Sequence, residues 1–215
     1  MLEPSQQNLI SYKFSALYLP EIMKGILNPP GTSQRFSVED FKLTNAYLHS
    51  FTVLGHTPYL AKYFRSQDPS AEAGKVLMHV LAERLLHLAP RLDAAITNNP
   101  DPEELLFLSS LAGSPLEILG DLLNIFIKEP IGSPLLLPQK MKDALIPCLR
   151  KWENHFGANS VDPTLEVMCR RTRSLLEGNP IQIKAEIHLR KVLKNWEHCG
   201  NPGCGSTSNL RACGR

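Results

Sequence analysis

Charge of one sign is the first thing this sequence lacks. Its 215 residues hold 23 Lys and Arg against 21 Asp and Glu, a formal net charge of +2. Phosphate backbones and anionic membrane surfaces are met by basic excess, so neither nucleic acid nor membrane is expected as a partner. A long apolar run is missing too. The longest stretch free of Asp, Glu, Lys and Arg runs from Leu43 to Ala61 and is broken by Asn45, His49, Gly55, His56 and Pro58. Such residues are costly at a bilayer centre, so no span is expected. Met1-Leu2-Glu3-Pro4 has neither the basic start nor the apolar core of a secretory signal. The expected compartment is therefore intracellular (cytoplasm or nucleus) and reducing.

Strand-like alternation is nearly absent before residue 198, which excludes a sheet-based fold. No phosphate-cradling glycine loop occurs, and no Gly-x-Gly-x-x-Gly follows a strand. Ser114 lacks the Gly-x-Ser-x-Gly setting of a hydrolase nucleophile. With these motifs missing, the chain is expected to be non-catalytic.

What is present is helical periodicity. Apolar residues make up 43% of the chain, enough for a sizeable core, and 13 Gly and 17 Pro punctuate it. Leu77, Leu81, Leu85, Leu88, Leu92 and Ile96 recur every three or four residues, and the register survives Pro90. A kinked helix, or two helices sharing one buried face, is expected there. Helix starts are marked at Ser37 with Asp40, at Asp101-Pro102-Glu103-Glu104, at Ser114-Pro115-Leu116-Glu117 and at Asp162-Pro163. Stops are marked at Gly157 and at Gly178-Asn179-Pro180.

These signals predict helices over 5–27, 38–55, 57–66, 71–96, 102–112, 115–128, 139–156, 164–177 and 181–197. Short connections favour antiparallel neighbours. The expected fold is all-α: an irregular helical bundle or a short armadillo- or HEAT-like helix stack over residues 1–197, followed by a short Cys-rich, non-helical tail at 198–215. In the helix over 139–156 the buried stripe is Met141, Leu145, Cys148, Leu149, Trp152 and Phe156. In the next it is Leu165, Met168, Cys169, Thr172 and Leu176.

Several polar groupings have plain structural readings. All five Tyr lie within the first 63 residues, with Phe14, Phe36, Phe41, Phe51 and Phe64 for company, and predict an aromatic core for the N-terminal helices. His79, Glu83 and His87 step by four along one helix and serve as the polar face opposite its Leu stripe. Cys148 and Cys169 are expected as buried structural thiols. Lys184, His188, Arg190, Lys191 and Lys194 give the last helix a basic, solvated face. The charge drifts along the chain: residues 1–145 carry 12 Lys and Arg against 15 Asp and Glu, so the basic excess lies in the remainder.

Near residue 198 the composition changes. Residues 199–215 contain three of the five Cys and four Gly, with only Leu210 and Ala212 apolar besides. A segment like this cannot bury a core and needs a ligand or partner to order it. Cys199 and Cys204 enclose Gly-Asn-Pro-Gly, and Cys213 follows after eight residues. Two thiolates so spaced, joined by Gly and Pro, converge readily on Zn2+, and the glycines allow backbone N–H groups to face sulfur. In a reducing compartment clustered Cys are read as metal ligands rather than disulfides. A closed zinc site takes four ligands, and His198 is too close to Cys199 to share its ion without strain, so the set is incomplete within these residues.

The run Cys199-Gly-Asn-Pro-Gly-Cys204-Gly, a short polar loop with Leu210-Arg211, then Cys213-Gly214-Arg215, resembles the opening of a MYND-type zinc finger of the fungal kind. That resemblance implies a cross-braced fold around two zinc ions. Cys199 and Cys204 would be the first pair of ligands to one ion, and Cys213 the first member of the second pair, on the other ion. The family pattern continues with further Cys and His positions, so this sequence is expected to be a fragment of a longer protein. The resemblance also implies a protein partner, often a proline-containing peptide, bound by a zinc-binding interaction module on a helical scaffold. Two other readings compete: a piece of a MYND-containing methyltransferase, against which no strand-rich segment precedes Cys199, and a helical scaffold with an incidental Cys-rich tail.

Overall fold

A computed structural model describes residues 4–28, 45–52, 60, 63–64, 69–98, 101–126, 136–159 and 162–193. Among these the regular structure is entirely helical, as the periodicity requires. The helices are α1 (Pro4–Leu27), α2 (Pro69–Thr97), α3 (Pro102–Ile125), α4 (Gln139–Asn159), α5 (Pro163–Leu176) and α6 (Pro180–Leu193). Residues 45–52 are helical as well, within the predicted 38–55. Ser37, Asp40, Phe36 and Phe41, most of the predicted 57–66 and the end of the predicted 181–197 lie outside the described residues.

Four helices form a closed ring. α2 packs on α3, α3 on α5, α5 on α4, and α4 back on α2. α1 lies against α2, and α6 against α5. The turns between α2 and α3 and between α4 and α5 are short, so each pair is a helical hairpin and the hairpins stack. One contiguous core fills the ring, with Leu77, Leu81, Leu85 and Leu92 from α2, Leu108, Leu116 and Leu119 from α3, Leu145, Leu149, Trp152 and Phe156 from α4, and Leu165 and Cys169 from α5.

Local chemistry explains the helix ends. Asp101 caps α3, its carboxylate accepting from the Glu103 N–H at 3.0 Å, and Pro102 follows where a missing N–H costs nothing. Asp162 caps α5 in the same way, accepting from the Leu165 N–H at 3.0 Å. α5 stops at Gly178, whose φ of 71° is a left-handed conformation that side chains disfavour. There the Asn179 N–H donates to the Ser174 carbonyl at 2.9 Å. Asn179 then caps α6, its side-chain oxygen accepting from the Ile181 N–H at 3.0 Å.

Two predicted boundaries are overridden. The Gly-Ser-Pro corner at 113–115 does not split the helix; α3 runs from Pro102 to Ile125 with Pro115 inside it. Leu105, Leu108, Ala112, Pro115, Leu116, Leu119 and Leu122 are all buried, so one apolar register crosses the proline. Burial between α2 and α5 outweighs the capping signal and the backbone hydrogen bond lost at Pro115. Gly157 does not end α4 either; the helix continues to Asn159. A Cβ at Gly157 would sit 3.2 Å from Cγ of Glu166, so the glycine there serves the close approach of α5.

α2 runs unbroken through Pro90, with Leu77, Leu81, Leu85, Leu88 and Leu92 buried as the spacing predicts. Among the described residues Phe51, Tyr63 and Phe64 join the core as expected. Phe51, Phe64 and Phe126 stack through edge and tilted contacts at 5.9 and 6.4 Å between centroids. Phe14, which the sequence assigns to that core, is 47% exposed, because it lies on the side of α1 away from α2.

Candidate functional site

The predicted zinc ligands Cys199, Cys204 and Cys213 lie outside the described residues, as does the neighbouring His198. What the structure describes is the helix that leads to them. α6 rests against α5 and is fastened by a polar clasp rather than a broad apolar face. Glu186 on α6 is 4% exposed. It accepts from Arg171 Nε at 2.7 Å and Nη2 at 3.2 Å, a two-pronged charged contact with α5. Asn124 of α3 donates to the same carboxylate at 2.8 Å, and Gln182 one turn earlier on α6 at 3.0 Å. Arg171 also reaches Asp121 of α3 at 2.9 Å. Burial works to lower the Arg171 pKa, yet the hydrogen bonds and charges of Glu186 and Asp121 raise it above the ordinary arginine value. The guanidinium is thus a permanent cation holding three helices together.

Space for that guanidinium is provided by Gly120. A Cβ there would lie 3.2 Å from Thr172 Oγ1 and 3.5 Å from Arg171 Nη1. Thr172, buried beside it, donates to the Leu116 carbonyl at 3.3 Å. A second ionic group ties α4 to α5: Arg173 binds Glu153 at 2.7 Å and Glu177 at 2.6 Å, and Glu177 accepts from Arg150 at 2.9 Å. A third point joins α2 to α4, where the fully buried Trp152 donates its Nε1–H to Asp93 at 2.8 Å and Lys151 pairs with the same carboxylate at 3.2 Å. Arg84 of α2 is almost wholly buried and donates to the Ile26 carbonyl, capping the last turn of α1; burial lowers its pKa to about 10. The contacts between helices were not readable from sequence, because they join residues distant along the chain; only Arg173–Glu177 and Gln182–Glu186 have the four-residue spacing of a helical pair.

His79 is half-buried and Glu83 and His87 are exposed, on the side of α2 away from its Leu stripe. Among the described residues no group of three or more His, Cys, Asp or Glu is gathered to hold a metal ion. Cys169 is buried in the core, and burial first, then Glu153, Glu166 and Asp162, push its thiol well above the ordinary range. Cys148 is only half-buried, short of full burial because it sits at the edge of the α4 stripe; its Sγ faces the Ala144 carbonyl at 3.5 Å. Burial and then Asp93 raise its pKa too. Both are free thiols whose surroundings disfavour the thiolate, Cys169 more than Cys148. Lys184 and His188 of α6 are exposed, as a solvated face requires.

α3 is long and apolar enough to cross a membrane by length and composition alone, and 61% of its most apolar window is buried inside the fold. Its apolarity is spent on the contacts with α2 and α5. Comparison with protein-family models, with curated proteins and with solved structures finds no match for this chain.

Proposed function

We propose that this protein is a non-catalytic interaction protein, in which a helical body carries a MYND-like zinc-binding segment at 199–215. The observation that carries the reading is the spacing Cys199-x-x-x-x-Cys204, then Cys213, in a Gly- and Pro-rich run with almost no apolar residues. Thiolates so placed suit zinc, and metal supplies the ordering energy that such a run cannot draw from a core. Cys199 and Cys204 act as a pair on one ion, and Cys213 begins the ligand set of a second. The resemblance further assigns a protein partner, a proline-containing peptide, to the ordered segment.

Zinc per chain, counted by elemental analysis after expression in zinc-supplemented medium, tests it. A protein carrying the complete ligand set is expected to retain zinc through gel filtration, and its Cys199→Ser/Cys204→Ser variant to lose about one equivalent. Zinc near zero in that protein overturns the reading, as does an unchanged content in the variant.

A further inference from the structure

Among the described residues, none covers the outer face of α1. Its inner face is Ser15, Leu19, Ile22, Met23 and Ile26, all buried. Stepping about 100° per residue, Leu17 falls about half a turn around the helix from Ile26, at the centre of the solvent side. Leu17 is 70% exposed, Phe14 47% and Tyr18 49%, and the Phe14 and Tyr18 rings lie together with centroids 4.5 Å apart. A single exposed Leu is ordinary, but a contiguous Phe-Leu-Tyr patch marks an interaction surface.

The charges around this patch say what fits it. Lys13 and Glu21 are both exposed and lie four residues on either side of Leu17. Neither makes an ion pair with another described residue. On one helix they are about 12 Å apart along the axis, too far to pair with each other. A two-fold axis through Leu17 sets a second α1 antiparallel to the first, and that rotation exchanges the two positions. Lys13 of each copy then meets Glu21 of the other at both ends of the contact. Leu17 meets its own counterpart at the centre. The face is complementary to itself, which is the requirement for an isologous dimer.

We infer that α1 is a self-association surface, and that two copies of this chain pair antiparallel through Phe14, Leu17 and Tyr18 with reciprocal Lys13–Glu21 contacts. The contact involves one helix face and is small beside stable dimers, which bury about 1,200–2,000 Å². Association is therefore expected at micromolar protein and above. It is independent of the zinc reading, since no residue of 199–215 takes part.

Sedimentation velocity over roughly 5–200 µM protein tests it. The parent is expected to shift from monomer to dimer across that range, and Leu17→Asp to stay monomeric with unchanged helical circular dichroism, because the site is exposed. Lys13→Glu and Glu21→Lys each place like charges at both ends and are expected to weaken association at least about tenfold. Mixed one to one, they form a heterodimer with both contacts restored, and the doubly exchanged chain dimerises with itself. A parent that remains monomeric throughout overturns the proposal and leaves the face to a different partner. Failure of the mixture to recover dimer overturns the antiparallel register.

Discussion

Changing Glu186 to Ala tests how the last helix is held. The Glu186 side chain is 5% exposed, and its carboxylate receives four hydrogen bonds, two from Arg171 and one each from Asn124 and Gln182. Removing one partner of a buried ion pair typically costs about 3–5 kcal/mol, because the other charge stays buried without compensation. Here the penalty is smaller. The Arg171 side chain is 28% exposed and keeps Asp121, so water and one carboxylate still solvate it. Glu186→Ala is expected to destabilise by about 2–3 kcal/mol. Urea unfolding followed by far-ultraviolet circular dichroism measures this. Replacing both members, Arg171→Met with Glu186→Met, removes the stranded charge and is expected to cost at least about 1 kcal/mol less than the sum of the two single changes. Hydrogen exchange should accelerate first in 180–193, since among the described residues α6 has little other attachment. A Glu186→Ala change within about 0.5 kcal/mol of the parent, or additive single and double changes, would refute the clasp.

Asp162→Ala removes the oxygen that accepts from the Leu165 N–H and is expected to cost about 1 kcal/mol in the same unfolding assay. Maleimide labelling mapped by mass spectrometry should modify Cys148 before Cys169, whose labelling should follow global unfolding, because Cys169 is buried and strongly resists ionisation. His155 has its pKa lowered, first by burial and then by Lys151. The fold therefore favours its neutral form, and the stability it lends is present above the ordinary histidine pKa and lost as the pH falls through the lowered value. Replacing His155 with Gln is expected to flatten that acid-side decline in a pH series of urea midpoints, and an unchanged slope would contradict the assignment.

Helices with strong amphipathic stripes were legible in the sequence. Leu77 to Leu92 and Leu145 to Phe156 state their buried face at the right period, and Asp101 and Asp162 announce their caps through contacts within three residues. The Gly-Ser-Pro corner was misleading for a physical reason. Capping motifs report local preference, and at Pro115 the burial of an apolar register on both flanks outweighs it. Gly157 is the same lesson in reverse: its smallness serves the contact with Glu166, a residue of the next helix. The Arg171–Glu186–Asp121–Asn124 clasp had no sequence signal at all, since its members span three helices and each alone looks like a surface residue. Phe14 was assigned to the core by composition, and only the position of the α1 buried face, set by Leu19, Met23 and Ile26, shows that it points outward.

The zinc-binding segment is the central claim, and X-ray absorption at the zinc edge tests it most directly on the protein carrying residues 199–215. Thiolate ligation by Cys199, Cys204 and Cys213 predicts a sulfur shell near 2.3 Å from the metal, reduced when Cys199 and Cys204 are changed to Ser. A first shell of nitrogen and oxygen alone at about 2.0–2.1 Å, or a sulfur shell undiminished by the double change, would contradict it.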